Sequence, residues 1–163
     1  MQPVSPRVVE LLNEALTFEL TVTNAYFLHA RMLDNWGLPK LGKVFYGLSI
    51  DEMKDADALI NRILMFEGHP NVQRLGNIAI GETPEEMLEL AYESEKVAVK
   101  QFNGGAQECH DLGDHATAAI FEEMARDEEQ HAEWFEAQLE AIKRVGAAQY
   151  MAQQIDASTP PGS

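Results

Sequence analysis

Helical periodicity along almost the whole chain predicts an all-α protein: a four-helix bundle with one long crossover and a short fifth C-terminal helix. Three observations carry this prediction. Apolar residues recur at spacings of three and four through four long segments. Proline, glycine and capping residues interrupt the chain between those segments. Of the three connections between them, only the middle one is long.

Each element has its own signals. Ser5-Pro6 reads as a cap followed by a first-turn proline, and the first helix runs from there to about Asn35. Trp36-Gly37-Leu38-Pro39 breaks it. The second helix runs from about Lys40 to Glu67 and stops at Gly68-His69-Pro70. The connection NVQRLGNIAIGET follows, with an extended stretch possible at Asn77–Ile80. Thr83-Pro84-Glu85-Glu86 is a capping box with proline at the first helical position, and it starts a third helix that reaches about Leu112. Asp114, after Gly113, caps a fourth helix ending near Val145. Gly146 separates it from a short fifth helix, AAQYMAQQI, and the tail DASTPPGS reads as disordered. Short loops join antiparallel neighbours, whereas the middle connection is long enough to cross the length of the bundle, about 40 Å.

Composition narrows the function. A net charge of −15 argues against nucleic acid or an anionic membrane as partner, and suits cations, basic partners or plain solubility. A single cysteine, Cys109, rules out an intrachain disulfide. The start MQPVSPRVVE lacks the pattern of a secretory signal, and no apolar run approaches the ~20 residues of a membrane span. The expectation is a cytoplasmic protein.

The informative residues are acids on apolar stripes. Glu19 interrupts Leu12, Ala15, Val22 and Tyr26 on helix 1, while Glu52 and Asp55 interrupt Val44, Leu48, Leu59 and Ile63 on helix 2. Glu95 interrupts Leu88, Ala91, Ala98, Val99 and Phe102 on helix 3, and Glu128 and His131 interrupt Ile120, Met124, Phe135 and Leu139 on helix 4. Each hairpin brings its acids level. Glu19 and Glu52 flank Trp36 by 17 and 16 residues, and Glu95 and Glu128 flank Gly113 by 18 and 15. An unpaired buried carboxylate costs several kcal/mol, so five in one core require protonation or cations. Five carboxylates and one imidazole suit two divalent ions, and hard oxygen donors with one nitrogen favour iron or manganese over zinc or copper. Di-iron carboxylate bundles use one Glu from each of two helices and Glu-x-x-His from each of the other two. Glu19 and Glu95 fill the first role, Glu128-x-x-His131 the second, and Glu52-x-x-Asp55 departs from it. The alternatives are acids at the stripe edges facing solvent, in a helical interaction protein without metal.

The stretches YFLHARMLDNWGL (26–38), SIDEMK (49–54), RIL (62–64), EGHPNVQRLG (67–76), IGETPEEML (80–88) and RDEEQHAEW (126–134) resemble bacterioferritin over nearly the whole length. The resemblance implies a single ferritin-like domain over 1–156 with a flexible tail at 157–163. It implies a homo-oligomeric shell of 24 subunits that oxidises Fe(II) with dioxygen or peroxide and stores ferric mineral. It also implies haem b shared between two-fold-related subunits, a ferredoxin-type reductant for iron release, and a fifth helix lining a symmetry axis. By motif position, Glu19, Glu52, Glu95, Glu128 and His131 match the ferroxidase ligands, and Asp55 stands where the family has histidine. Met53 matches the haem axial ligand. Leu20, Asn24, Phe27 and Tyr46 match haem-contacting positions, with dimer packing as the simpler role. Tyr26 and Trp134 match positions near the centre that supply electrons, with a purely structural role as the equal alternative. Asp51 matches one half of an iron site on the cavity wall, whose histidine is here replaced by Gly47. Two readings follow: a ferroxidase, or a haem-binding subunit with an impaired centre that co-assembles with a competent second subunit. His29 falls on another face from the acids, and His69, His110 and His115 are expected at the surface. Gly104-Gly105 inside helix 3 calls for either close packing or a kink.

Overall fold

In the computed structural model, residues 1–156 are described, and the tail expected at 157–163 lies outside them. The chain forms α1 (Pro6–Asn35), α2 (Pro39–Met65), α3 (Pro84–Leu112), α4 (His115–Val145) and α5 (Ala147–Ala152), with no strand among the described residues, Asn77–Ile80 included. The boundaries follow the local chemistry. Ser5 Oγ accepts from Arg7 N–H at 3.2 Å, with Pro6 in the first turn. Thr83 Oγ1 accepts from Glu86 N–H at 3.1 Å, while Glu86 reaches back to Glu82 N–H at 2.7 Å. Gly113, at φ 83°, closes α3 in the left-handed region. α2 stops two residues before the expected Glu67, because Glu67 itself is left-handed (φ 59°) and Gly68 N–H turns back to Ile63 O at 3.0 Å. α5 is shorter than the pattern suggests and ends at Ala152.

α1 pairs with α2 and α3 with α4 as two hairpins. The crossover lies along α1, fastened at three heights. Asn13 donates to His69 O (3.1 Å) and accepts from Asn71 N–H (2.8 Å). Thr21 Oγ1 accepts from Gly76 N–H (2.8 Å), and His29 Nε2 from Gly81 N–H (3.0 Å). Those anchors span about 24 Å of α1. Gly81 is required, since a Cβ there would lie 2.7 Å from Met87 N.

The apolar core is in two parts. One joins Leu12, Leu16, Leu59, Ile63, Phe102 and Phe121; the other joins Val22, Tyr26, Phe45, Leu88, Ala91 and Phe135. Between them in sequence, on every long helix, lie Glu19, Glu52, Glu95 and Glu128, each at most 1% exposed. The solvent-facing alternative for these acids is thereby removed.

Candidate metal centre

All four long helices contribute. The oxygen or nitrogen donors of Glu52, Glu95, Glu128 and His131 lie within 4.8 Å of one another. So do those of Glu19, Glu52, Asp55 and Glu128. Glu52 and Glu128 belong to both groups, which is the geometry of two adjacent cation positions with two shared carboxylates. His131 Nδ1 lies 3.3 Å from Glu128 Oε2 and 3.4 Å from Glu52 Oε1. The Tyr26 hydroxyl donates to Glu95 Oε1 from within the core.

The remaining valences are open. Both Glu19 oxygens and Glu128 Oε1 are buried without a hydrogen-bond partner, and Glu52 Oε1 has only the 3.4 Å contact with His131 Nδ1. Burial and the Glu52 charge push Glu19 well above the ordinary carboxylate range. Burial and neighbouring Glu128 do the same to Glu95, and burial raises Glu52 against the pull of His131. Asp55 is pushed up to about 7, by burial first and then by the Glu52 and Glu128 charges. Burial would lower His131, but pairing with Glu128 and Glu52 lifts it to about 10. Burial would raise Glu128, yet Glu95 and His131 hold it below its ordinary value. Without cations the raised carboxyls favour their protonated forms, and cations of sufficient affinity compete with those protons. The buried open oxygens fit hard divalent ions such as Fe(II) or Mn(II).

Asp55 and His131 are the half-buried members, and both line a pocket of about 310 Å³ together with Asp51, Lys54, Asp127 and Gln130. A second pocket, of about 230 Å³, is lined by Val44, Leu48, Gln130, His131 and Trp134. The two meet at Gln130 and His131. Asp127 and Gln130 were not singled out from the sequence; they are exposed residues in a charged run, without any apolar signature. Asp51 is exposed, 3.5 Å from Lys54 Nζ, and Gly47 beside it is exposed too.

The positions matched to haem lie away from the centre. On α1, Leu20, Asn24, Phe27 and Arg31 follow one another at helical spacing, and on α2 Tyr46 and Met53 are seven apart. Phe27 and Tyr46 rings are 6.3 Å apart, with the Arg31 guanidinium over Tyr46 at 4.9 Å. Phe27, Tyr46 and Met53 are 50%, 40% and 49% exposed, a large apolar surface for one chain.

Comparison with known proteins agrees with this geometry. A family model for the ferritin-like domain matches residues 9–145. A bacterioferritin of Mycolicibacterium paratuberculosis is 41% identical over 156 residues, 96% of this chain and 97% of its own length. The chain belongs to the bacterioferritin family. The bacterioferritin of Streptomyces coelicolor is 39% identical over 162 residues, 97% of each protein. Among solved structures, Mycobacterium tuberculosis bacterioferritin BfrA matches with a TM-score of 0.93 at 39% identity, over 96% of this chain and 98% of that one. The ferritin-like four-helix bundle expected from the sequence is thus the fold of this bacterioferritin. None of its helices is long and apolar enough to cross a membrane, among the described residues.

Proposed function

We propose that this bacterioferritin is an iron-storage subunit that oxidises Fe(II) within each chain and delivers ferric product to the cavity of a homo-oligomeric shell. The observation that carries this reading is the set of buried carboxylate oxygens without partners. Nothing but cations or protons makes that arrangement tolerable.

In this reading Glu95 and His131 hold one Fe(II), Glu19 and Asp55 the other, and Glu52 and Glu128 bridge them. Tyr26 orients Glu95 through its hydroxyl and stands close enough to supply an electron. The acidic pocket at Asp51, Asp55 and Asp127 draws cations in, and the apolar pocket beside Trp134 suits a small neutral oxidant. Each Fe(II) gives one electron to dioxygen or peroxide, and the carboxylates stabilise the ferric charge that develops. His131 must lose its proton before it ligates.

Met53 fits a haem axial ligand: it is half-exposed on α2, seven residues from Tyr46, and each chain supplies one. Two such faces packed about a two-fold axis would enclose haem b, with Leu20, Asn24, Phe27 and Tyr46 as its walls. Bound there, haem supplies a one-electron path for a ferredoxin-type reductant. The shell is then built from 24 such subunits, as the family resemblance implies.

Stopped-flow oxidation of Fe(II) tests the proposal. The wild type should exceed a Glu128→Ala, His131→Ala variant by on the order of 10–100-fold. Equal rates would defeat it.

A further inference from the structure

The α3–α4 turn carries a second group of metal-ligating side chains. His110 lies in the last turn of α3, and His115 opens α4. Their Nδ1 atoms face one another at 2.9 Å, with ring centroids 5.2 Å apart. The other nitrogen of His110, Nε2, lies 2.7 Å from Glu122 Oε1. All three residues are exposed. At 1.5 Å per residue, His115 is about 20 Å along α4 from Glu128. The buried centre therefore plays no part in this cluster.

The turn that presents the pair is rigid. Asp114 N–H bonds to Cys109 O at 2.8 Å behind the left-handed Gly113. The Asp114 carboxylate accepts from Thr117 N–H at 2.9 Å and from the Thr117 hydroxyl at 2.6 Å. Arg62, from α2, donates to Asp114 Oδ1 at 3.2 Å and to Thr117 Oγ1 at 3.0 Å. Three helices thus fix the backbone that carries the two imidazoles.

Glu122 has a chemical consequence for His110. As an acceptor it takes the Nε2–H, and that tautomer leaves Nδ1 as a lone pair aimed at His115. Two lone pairs do not face each other at 2.9 Å unless a proton or a cation lies between them. A proton gives one N–H···N bond. A divalent ion engages both nitrogens: two ligands each about 2.0–2.1 Å from one ion sit about 2.9–3.4 Å apart for angles from square to tetrahedral. A carboxylate on the far nitrogen is the usual outer support of a metal-bound histidine, because it fixes the tautomer and raises ligand basicity. The chain's net charge of −15 raises the local concentration of any cation.

We propose that His110 and His115 bind a first-row divalent cation of the Fe(II), Co(II), Ni(II), Zn(II) class, with Glu122 orienting His110 and water filling the other positions. Paired imidazoles select that class over Mg(II) and Ca(II).

Co(II) is the probe, since it is not consumed by air oxidation at the buried centre. Crystals of the assembled wild type soaked in Co(II) should give an anomalous peak within bonding distance of both Nδ1 atoms. In calorimetric titration, His115→Ala should lose one Co(II) per subunit, and Glu122→Gln should weaken that ion about 10-fold or more. Fe(II) oxidation should be unchanged in both variants. Should His115→Ala misfold, the map and Glu122→Gln decide the matter. No peak between the imidazoles, or equal Co(II) stoichiometry in wild type and His115→Ala, overturns the proposal and leaves a hydrogen-bonded histidine pair.

Discussion

Replacing Glu19 by methionine should make the metal-free protein more stable and the metal-loaded protein relatively less so. Glu19 is fully buried, and neither of its oxygens has a hydrogen-bond partner. Burial and the Glu52 charge push its pKa well above the ordinary carboxylate range, and in either protonation state the cost is at least that of a neutral polar group without partners, about 1–3 kcal/mol. Methionine is unbranched and adaptable, and a fit of this kind costs under about 1.5 kcal/mol. The net expectation for the metal-free Glu19→Met variant is a gain of about 1–2 kcal/mol. For a domain of this size that raises Tm by roughly 2–8 °C. Cations act in the opposite direction. An ion at 100 times its Kd stabilises the native state by about 2.7 kcal/mol, and the variant loses that contribution at the position Glu19 serves. Scanning calorimetry with and without Co(II), at one scan rate, measures both quantities. A metal-free variant that melts below wild type, with an undiminished gain on adding Co(II), would refute the reasoning, because Glu19 would then be satisfied without cations.

Gly104 and Gly105 separate helix propensity from packing. A Cβ at Gly104 meets nothing within 4 Å, so Gly104→Ala should stabilise by about 1 kcal/mol in chemical denaturation. At Gly105 it meets the Phe121 ring at 3.1 Å, so Gly105→Ala should gain nothing or lose about 1–2 kcal/mol; equal effects at both sites would sink this account. His29 is buried as an acceptor for Gly81 N–H, and burial lowers its pKa from 6.5 to about 4 against a weaker opposing pull from Glu86. Between those values the unfolded chain binds a proton that the folded chain refuses. Stability should thus fall as pH drops from 6.5 to 4, by about 3 kcal/mol in total, with no contribution above 6.5. A His29→Gln variant should lose that slope, and identical slopes in guanidinium midpoints against pH would contradict the assignment. Met53→Leu should abolish the haem absorbance of the purified protein while leaving the initial Fe(II) oxidation rate intact; retained haem would remove Met53 as ligand.

The parts legible in the sequence are those where one residue has one conformational or energetic role. Ser5-Pro6, Thr83-Pro84 and Gly113 end or begin helices because few other residues satisfy those backbone groups. The buried acids stood out because an apolar stripe leaves no cheap place for a carboxylate. The docking of the crossover was not legible. Asn13, Thr21 and His29 are eight residues apart, off any helical period, and their partners are backbone groups that any residue provides. The burial of His29 follows from the crossover, whose Gly81 N–H it accepts. The end of α2 falls short of the sequence expectation because nothing about glutamate announces a left-handed turn at Glu67. Two adjacent glycines look alike in sequence, and only the position of Phe121 on the facing helix tells them apart.

In the proposed centre, Asp55 acts through the charge it adds. With all five carboxylates ionised and two Fe(II) bound, the set carries one net negative charge; with two Fe(III), one net positive charge. A histidine at position 55 would make those values zero and plus two. On the proposed function the aspartate would therefore favour the ferric state, helping the first oxidation and slowing the loss of its product. It is also half-buried and lines the same pocket as Asp51 and Asp127. Asp55→His should leave rapid oxidation of the first two Fe(II) per subunit in place or slow it. Later turnover should quicken relative to that first phase. The ratio of the two rates, from stopped-flow traces at increasing iron, carries the test: a ratio unchanged from wild type would mean that product release does not depend on the charge at residue 55.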